Sequence, residues 1–455
     1  MSYGDNLHYE KFADGRVKCI EDEIPFDLPE GWEWVRLGSV GDMTLGKMLD
    51  VTKNKGTLRP YLRNINVRWG AFELSDVLEM RFEDDELERY SIRHGDLVIC
   101  EGGEPGRCAV WQSEEVVFYQ KALHRVRAIE VLPEFLYYVI RHFIISNQYK
   151  RYYTGTTIKH LTGQSLRIIP IPLPPLNEQK LIVEHLQRII EEIDKIETEK
   201  TEALSLVSFA KSKILDLAIR GQLVPQDPDD EPASVLLERI RAEKEELIKQ
   251  GKIKRNKKES IIFRGEDNSY YEKIGDKVEN ISDEIPFELP DGWFFVRLKE
   301  LWELISGRDL SPSEYNADGV GIPYITGASN FVDGKVELAR WTTSPQVITE
   351  AGDLLLTCKG TIGGMAFNDF GNAHIARQIM AIRNTFTLNS EYLALCMRFY
   401  INAIKDAAKG LIPGISREDI LNLILPVPSP NYQAKIVERV AEVTNILSAI
   451  EKSLS

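Results

Sequence analysis

Apolar positions along the chain fall into two kinds of pattern. Short β-branched and aromatic runs bounded by Gly, Pro, Asn or Asp predict strands; Leu97-Val-Ile99, Cys108-Ala-Val-Trp111 and Leu354-Leu-Leu-Thr357 are examples. Pro133–Tyr149 and Ser390–Lys409 carry helical spacing, each opening on Pro or Ser followed by Glu. After Pro174-Pro175 the apolar residues recur in steps of four and three at Ile182, Leu186, Ile189, Ile193 and Ile196. They continue in frame through Ala203, Val207, Ala210, Ile214 and Leu217, with Lys200 the one lapse. A sustained four-three stripe is the seam of a coiled coil. The stripe returns at Ile436, Val440, Val443, Leu447, Ile450 and Leu454. Two such stripes in one polypeptide predict helices that pair and bury surfaces neither can leave in water. The alternative is that each stripe packs on its own globule.

The chain is also written twice. Ile24-Pro-Phe-Asp-Leu-Pro-Glu-Gly-Trp32 recurs as Ile285-Pro-Phe-Glu-Leu-Pro-Asp-Gly-Trp293, and Val35-Arg-Leu37 recurs as Val296-Arg-Leu298. Gly95-Asp-Leu-Val98 answers to Gly352-Asp-Leu-Leu355. Pro172-Leu-Pro174 with Asn177, Gln179 and Ile182-Val-Glu184 answers to Pro426-Val-Pro428 with Asn431, Gln433 and Ile436-Val-Glu438. Spacing that drifts by only a few residues over such a distance marks a duplication with small loop changes. Between these ends the halves diverge. Val51–Tyr90 and Ser311–Glu350 share little beyond Tyr61 against Tyr324, followed by a glycine-rich turn, Gly102–Gly106 in one half and Lys359–Gly364 in the other. A shared frame with private middles suggests two similar modules doing one job on two different targets.

The expected class is α+β, with an internal repeat of two mixed sheet-and-helix globules at 25–175 and 286–428, separated by long antiparallel coiled-coil helices. Around them we expect an N-terminal segment (1–24), a central helical spacer region (176–260), a linker (261–285) that repeats the N-terminal segment, and a C-terminal helix (429–455) pairing with the central one. Tyr9–Glu23 resembles Tyr271–Glu284, so the N-terminus is a candidate to complete a cyclic arrangement. The second helix is short: Ser455 aligns with position 201.

Composition narrows the class. The 455 residues are 43% apolar, too many for general disorder, yet no run approaches the ~20 apolar residues that span a bilayer. The polar start lacks a secretory pattern, so a cytoplasmic protein is expected. Cys19, Cys100, Cys108, Cys358 and Cys396 are scattered without a CxxC pair, which argues against a disulfide framework or a structural metal site. The net charge of −14 argues against a generic polybasic binder, but charge is segregated. Val51–Phe72 and Arg141–Asn177 each carry five basic residues and no acid, enough for one cationic face on an acidic protein. The basic run Lys249–Lys258 reads as a solvated linker, with a phosphate contact the sharper alternative.

Catalytic chemistry is sparse. Gly41-Asp-Met-Thr-Leu-Gly46-Lys47 has the spacing of a phosphate-binding loop, but Met48 stands where Ser or Thr would hold magnesium, and Trp302 replaces the first glycine in the second copy. Both copies keep Gly followed by a long cation, Lys47 or Arg308. No G-x-G-x-x-G opens a helix, and H-E-x-x-H, G-x-S-x-G and the Asn-Pro-Pro-aromatic signature of amino-methyltransferases do not occur. A duplicated frame without duplicated chemistry reads as a recognition protein.

The ordered set of Leu-Pro-x-Gly-Trp, the Gly-Asp-Leu strand, and the Pro-x-Pro…Gln…Ile-Val-Glu exit into a long helix, with Gly221-Gln-Leu-Val-Pro225, resembles the specificity subunit of type I restriction–modification systems. The resemblance covers nearly the whole chain. It implies two target-recognition domains that each read one half of a bipartite, asymmetric site in double-stranded DNA, and helices that fix their spacing. It also implies partners: two modification (methyltransferase) subunits and the restriction/translocase subunits. Adenine-N6 methylation from S-adenosylmethionine and ATP- and Mg-dependent cutting would belong to those partners, with no cofactor, metal or catalytic residue on this chain. The candidate DNA contacts are Lys47, Lys53, Arg63, Asn64, Asn66, Arg68, Lys159 and Arg167 in the first module, with Asn64 and Asn66 as base readers. In the second they are Arg308, Asn330, Lys359, Arg377, Gln378 and Lys409. Ile182, Leu186, Ile189, Ile193, Ile196, Ile436, Val440, Val443, Leu447 and Ile450 form the candidate helix or partner seam. Two other readings compete: a nuclease or methyltransferase with unrecognised motifs, and a coiled-coil adaptor that does not bind DNA.

Overall fold

A computed structural model describes residues 7–253, 259–332, 334–386, 388–407 and 414–455. It divides into two compact units, one ending at Glu197 and one starting at Thr198.

In the first unit an antiparallel sheet takes the order Gly41–Leu45, Leu123–Ala128, Leu97–Cys100, Cys108–Val110. A second sheet takes the order Leu78–Phe82, Thr57–Leu62, Val117–Tyr119, Ser91–Ile92, with its middle pair parallel. Glu33–Arg36 pairs with Pro170–Leu173, joining the two ends of the module. Helices α1 (Pro133–Ile145) and α2 (Gly163–Arg167) complete it. The unbroken apolar run Leu97–Cys100 has a direct cause: both of its faces are buried. Leu97 and Ile99 pack with Phe135, Leu136 and Ile140 of α1, while Val98 and Cys100 pack with Leu62 and Tyr119 of the second sheet.

Helix α3 (Leu176–Ile219, 44 residues) starts in the first unit and continues into the second. The second unit adds α4 (Ala233–Lys249) and the three-stranded sheet Ser260–Arg264, Tyr270–Ile274, Lys277–Asn280. Among the described residues, its counterpart in the first unit is only the hairpin Tyr9–Lys11 with Val17–Cys19. The second module then repeats the sheets of the first in the same order and adds the short hairpin Phe331–Val332 with Lys335–Val336. Its sheets run Glu303–Ser306, Ile379–Arg383, Leu354–Thr357, Met365–Phe367, and Trp341–Thr342, Ile322–Ile325, Ala373–Ile375, Ile348–Thr349, again with one parallel pair in the middle. Helices α5 (Leu298–Leu301), α6 (Ser390–Ala407), α7 (Arg417–Leu421) and α8 (Pro430–Leu454) follow. No helix of the described residues is long and apolar enough to cross a membrane.

Within the second unit α8 runs antiparallel to the later part of α3. Lys211 Nζ meets Glu451 at 2.5 Å and Lys200 Nζ reaches the Ser455 carbonyl at 3.3 Å, while Tyr432 at the other end donates to the Val224 carbonyl. Val207, Ile436 and Val440 are buried there, and Val443 and Leu447 are half-buried. The residues opposite α8 are those of the later stripe, around Ala203–Leu217, with α8 ending level with Lys200. Ile182 and Leu186 are half-buried, with Ile182 against the first module's core, whereas Ile189, Ile193 and Ile196 are 51%, 48% and 63% exposed, and Ile450 is exposed as well.

Candidate nucleic-acid interface

Each module is braced by the same arginine–carboxylate cluster. In the first, the Arg36 guanidinium holds Glu10 (Nη2–Oε2 2.6 Å) and Glu23 (Nη1–Oε2 2.6 Å) and donates to the Ile168 carbonyl. In the second, Arg297 holds Glu272 (2.7 Å) and Glu284 (2.8 Å) and donates to the Asn422 carbonyl. Burial alone would raise the carboxyls of Glu23 and Glu272, but hydrogen bonds outweigh it, from Lys18 and Arg36 to Glu23 and chiefly from Arg297 to Glu272, and hold both below the ordinary range. A second duplicated pair, Arg127–Asp96 and Arg383–Asp353, ties a core strand to the turn before its neighbour.

Beside these braces, one corner of each module carries different side chains in the two copies. At that corner Gly46 and Gly307 pass so close to a neighbouring strand that a Cβ would lie 2.2 Å from the Gln120 carbonyl oxygen, or 2.1 Å from that of Ala376. The glycine of the Gly-cation pair is therefore demanded by backbone approach. Lys47 N then donates to the Tyr119 carbonyl and Arg308 N to that of Ile375, so the two cations are structural equivalents. Their side chains part. Lys47 is buried and paired with Glu83 and Glu86, which corrects its reading as a phosphate contact. Burial would lower its ammonium, but those two carboxylates raise it overall, and Lys47 in turn draws Glu83 down to about 2. Arg308 is exposed.

Asn66 and Asn330 are corrected as well. Both are buried equivalents whose amides close their own turns. Asn66 Oδ1 accepts from Arg63 N and its Nδ2 donates to the carbonyls of Glu73 and Asp76; Asn330 Oδ1 accepts from Thr326 N and its Nδ2 donates to the Glu337 carbonyl. Arg167 is exposed yet spends one nitrogen on the Met43 carbonyl (2.9 Å), as Arg417 does on Leu304 in the second copy. It braces α2 against the sheet edge.

The remaining candidates lie at or near the surface. Arg63 is tied to Asp76, and Asn64 donates to the Gly102 carbonyl at 2.8 Å. Arg68 and Lys53 are exposed, with Lys53 3.6 Å from Asp50, and Lys159 is exposed with its ammonium 6.0 Å from the Tyr153 ring centroid. In the second module Arg308, Lys359, Arg377 and Gln378 are exposed together. Arg377 pairs with Asp309, next to Arg308, and the Gln378 carbonyl accepts from Cys358 N, next to Lys359. Lys409 lies outside the described residues. Two residues at the corner escaped the sequence reading. Lys121 stands two positions after Tyr119 as Arg377 stands two after Ile375, and it is exposed. His160 is exposed beside the Gly102 turn. Matching the two copies by strand would have exposed the first; the second carries no sequence signal.

A family model for the type I restriction modification DNA specificity domain matches residues 29–206 and 290–455. The chain belongs to this family. Its two matched segments are the two copies of the repeat, so the module is a DNA specificity domain and the chain is a specificity subunit, whose role is DNA sequence recognition. Among curated relatives, the EcoAI specificity subunit of Escherichia coli is 22% identical, over 93% of this chain and 79% of its own length. The EcoEI specificity subunit of the same organism is 23% identical, over 96% and 82%. Among solved structures, the HsdS subunit from Thermoanaerobacter tengcongensis shares the fold with a TM-score of 0.59 at 22% identity, covering 95% of this chain and 94% of that one. A chain solved in work on complex assembly and conformational transition of the type I R-M system has a TM-score of 0.65 at 21% identity, covering 94% of each.

Proposed function

We propose that this specificity subunit is the non-catalytic DNA reader of a type I restriction–modification complex, each module gripping one half of a bipartite, asymmetric site. The observation that carries the reading is a duplicated frame, with the same sheet order in both copies, whose exposed corner presents different side chains in its two copies. Exposed Arg68, Lys121 and Lys159 in one module and Arg308, Lys359 and Arg377 in the other supply sequence-independent attraction to phosphates, and the amides and imidazoles among them supply readout. Helix α3 sets the number of base pairs between half-sites. The exposed apolar stripe Ile189, Ile193 and Ile196 receives a helix of a methyltransferase subunit, two of which assemble with the restriction subunits. S-adenosylmethionine, ATP and magnesium act on those partners, and adenine methylation and cutting are theirs.

Footprinting of the full chain on duplex DNA tests this. The expected result is two protected patches separated by an unprotected gap, with affinity falling steeply as salt rises. One continuous patch would refute the bipartite reading. Cleavage or label transfer by the chain alone with magnesium and labelled S-adenosylmethionine would refute the non-catalytic one.

A further inference from the structure

We infer that His160 and Gln378 are the base-reading side chains of the two modules; this rests on the DNA-reading function just proposed. Both flank the same node of the fold. In the first module Glu101 accepts from Leu161 N, the residue after His160; in the second the equivalent Cys358 receives the Gln378 carbonyl on its N–H. Each side chain is laid over a glycine that leaves it room. A Cβ on Gly102 would lie 2.9 Å from His160 Nδ1, and a Cβ on Gly327 would lie 2.4 Å from Gln378 Oε1.

Both side chains are exposed and neither hydrogen-bonds to a described residue, unlike Asn66 and Asn330, whose amides are spent on their own turns. Each follows a cation directly, Lys159-His160 and Arg377-Gln378, so a phosphate anchor sits one residue from a group that can reach a base edge. The two readers differ in chemistry. A glutamine amide offers a donor and an acceptor side by side, the pattern that pairs with N6 and N7 of adenine. A neutral imidazole offers one of each on opposite sides of its ring and pairs singly, here with the N7 acceptor of a purine. The half-site read by the second module therefore contains an adenine set by Gln378, and the other half-site a purine set by His160.

Selection of the full chain against a randomised duplex library, read by sequencing, tests the assignment. Gln378→Ala is expected to cut the preference at one adenine of one half-site by about five- to 150-fold and to leave the other half-site untouched. His160→Ala is expected to cut the preference at one purine of the opposite half by a smaller factor, since it removes a single hydrogen bond. Gly327→Ala, checked for folding by its melting transition, is expected to reproduce the Gln378→Ala motif by displacing that side chain. Unchanged motifs in both alanine variants, or an affinity drop uniform across sequences, would overturn the inference while leaving the DNA-reading function standing. Failure of the unsubstituted chain to select any two-part motif would overturn both.

Discussion

Arg297 offers the sharpest test of the frame. Its guanidinium and the Glu272 carboxylate are each 8% exposed and meet through two hydrogen bonds, from Nε and Nη2; Nη2 also donates to Glu284, and Nη1 donates to the Asn422 carbonyl. Arg297→Ala strands the Glu272 charge in the interior, and breaking a buried pair from one side costs about 3–5 kcal/mol. At ~2–4 °C per kcal/mol for a unit of this size, the melting transition should fall by about 6–20 °C. The first copy supplies an internal control. Arg36 is 18% exposed and its partners Glu10 and Glu23 are 25% and 11% exposed, so water relieves part of the penalty and Arg36→Ala should cost about 2 kcal/mol. Acid sharpens the comparison. A carboxylate whose folded value lies below its ordinary 4.5 stabilises the fold above that pH, and the contribution is lost as pH falls through the folded value. The gap between the unsubstituted chain and Arg297→Ala should therefore be full at neutral pH and close in acid. Urea unfolding of both variants across pH reads it directly. A loss under 1 kcal/mol for Arg297→Ala, or a larger loss for Arg36→Ala, would refute the reasoning.

Three further outcomes follow from the same geometry. Gly307→Ala forces a Cβ to 2.1 Å from a backbone oxygen that cannot swing away, and is expected to cost at least ~1–3 kcal/mol in unfolding measurements. Lys47→Met should leave DNA affinity and its salt dependence unchanged, because that ammonium is already held by Glu83 and Glu86; Arg308→Met with Arg377→Met should lower the salt slope by up to about 2, at ~0.9 per phosphate contact, in titrations at several salt concentrations. Inserting seven helix-forming residues after Glu197 adds ~10 Å at 1.5 Å per residue, so the unprotected gap between footprints should grow by about three base pairs.

The duplication, the α+β class and the antiparallel helix pair were all legible in the sequence, because repeats and four-three stripes are properties of residue order. What was not legible depends on which way a side chain turns. Lys47 and Arg308 occupy one backbone position, yet the first copy carries Glu83 and Glu86 in the connection after the strand Leu78–Phe82, and these carboxylates draw the lysine inward. No local pattern around Lys47 announces partners thirty-six and thirty-nine residues away. Asn66 and Asn330 misled for a related reason: an asparagine in a turn can face a ligand or close the turn on itself, and only the position of the backbone acceptors, the Glu73 and Glu337 carbonyls, decides. At Ile189, Ile193 and Ile196 the sequence left the partner open, because periodicity says that a stripe needs a partner and not whether this chain supplies it.

The pattern of what the two copies share bears on how such a protein changes its target. The elements that repeat are backbone-dictated: glycines at close approaches, arginine–carboxylate braces, and asparagines that close turns. Each of these is costly to alter, since its loss leaves either a steric overlap or an unpaired buried group. The corner residues carry no such penalty. His160, Lys121, Lys359 and Gln378 are exposed and can be exchanged at nearly no cost in stability. A fold arranged this way separates the energetics of standing from the energetics of reading. Its two copies can then differ at the corner while the arginine–carboxylate braces they share stay in register.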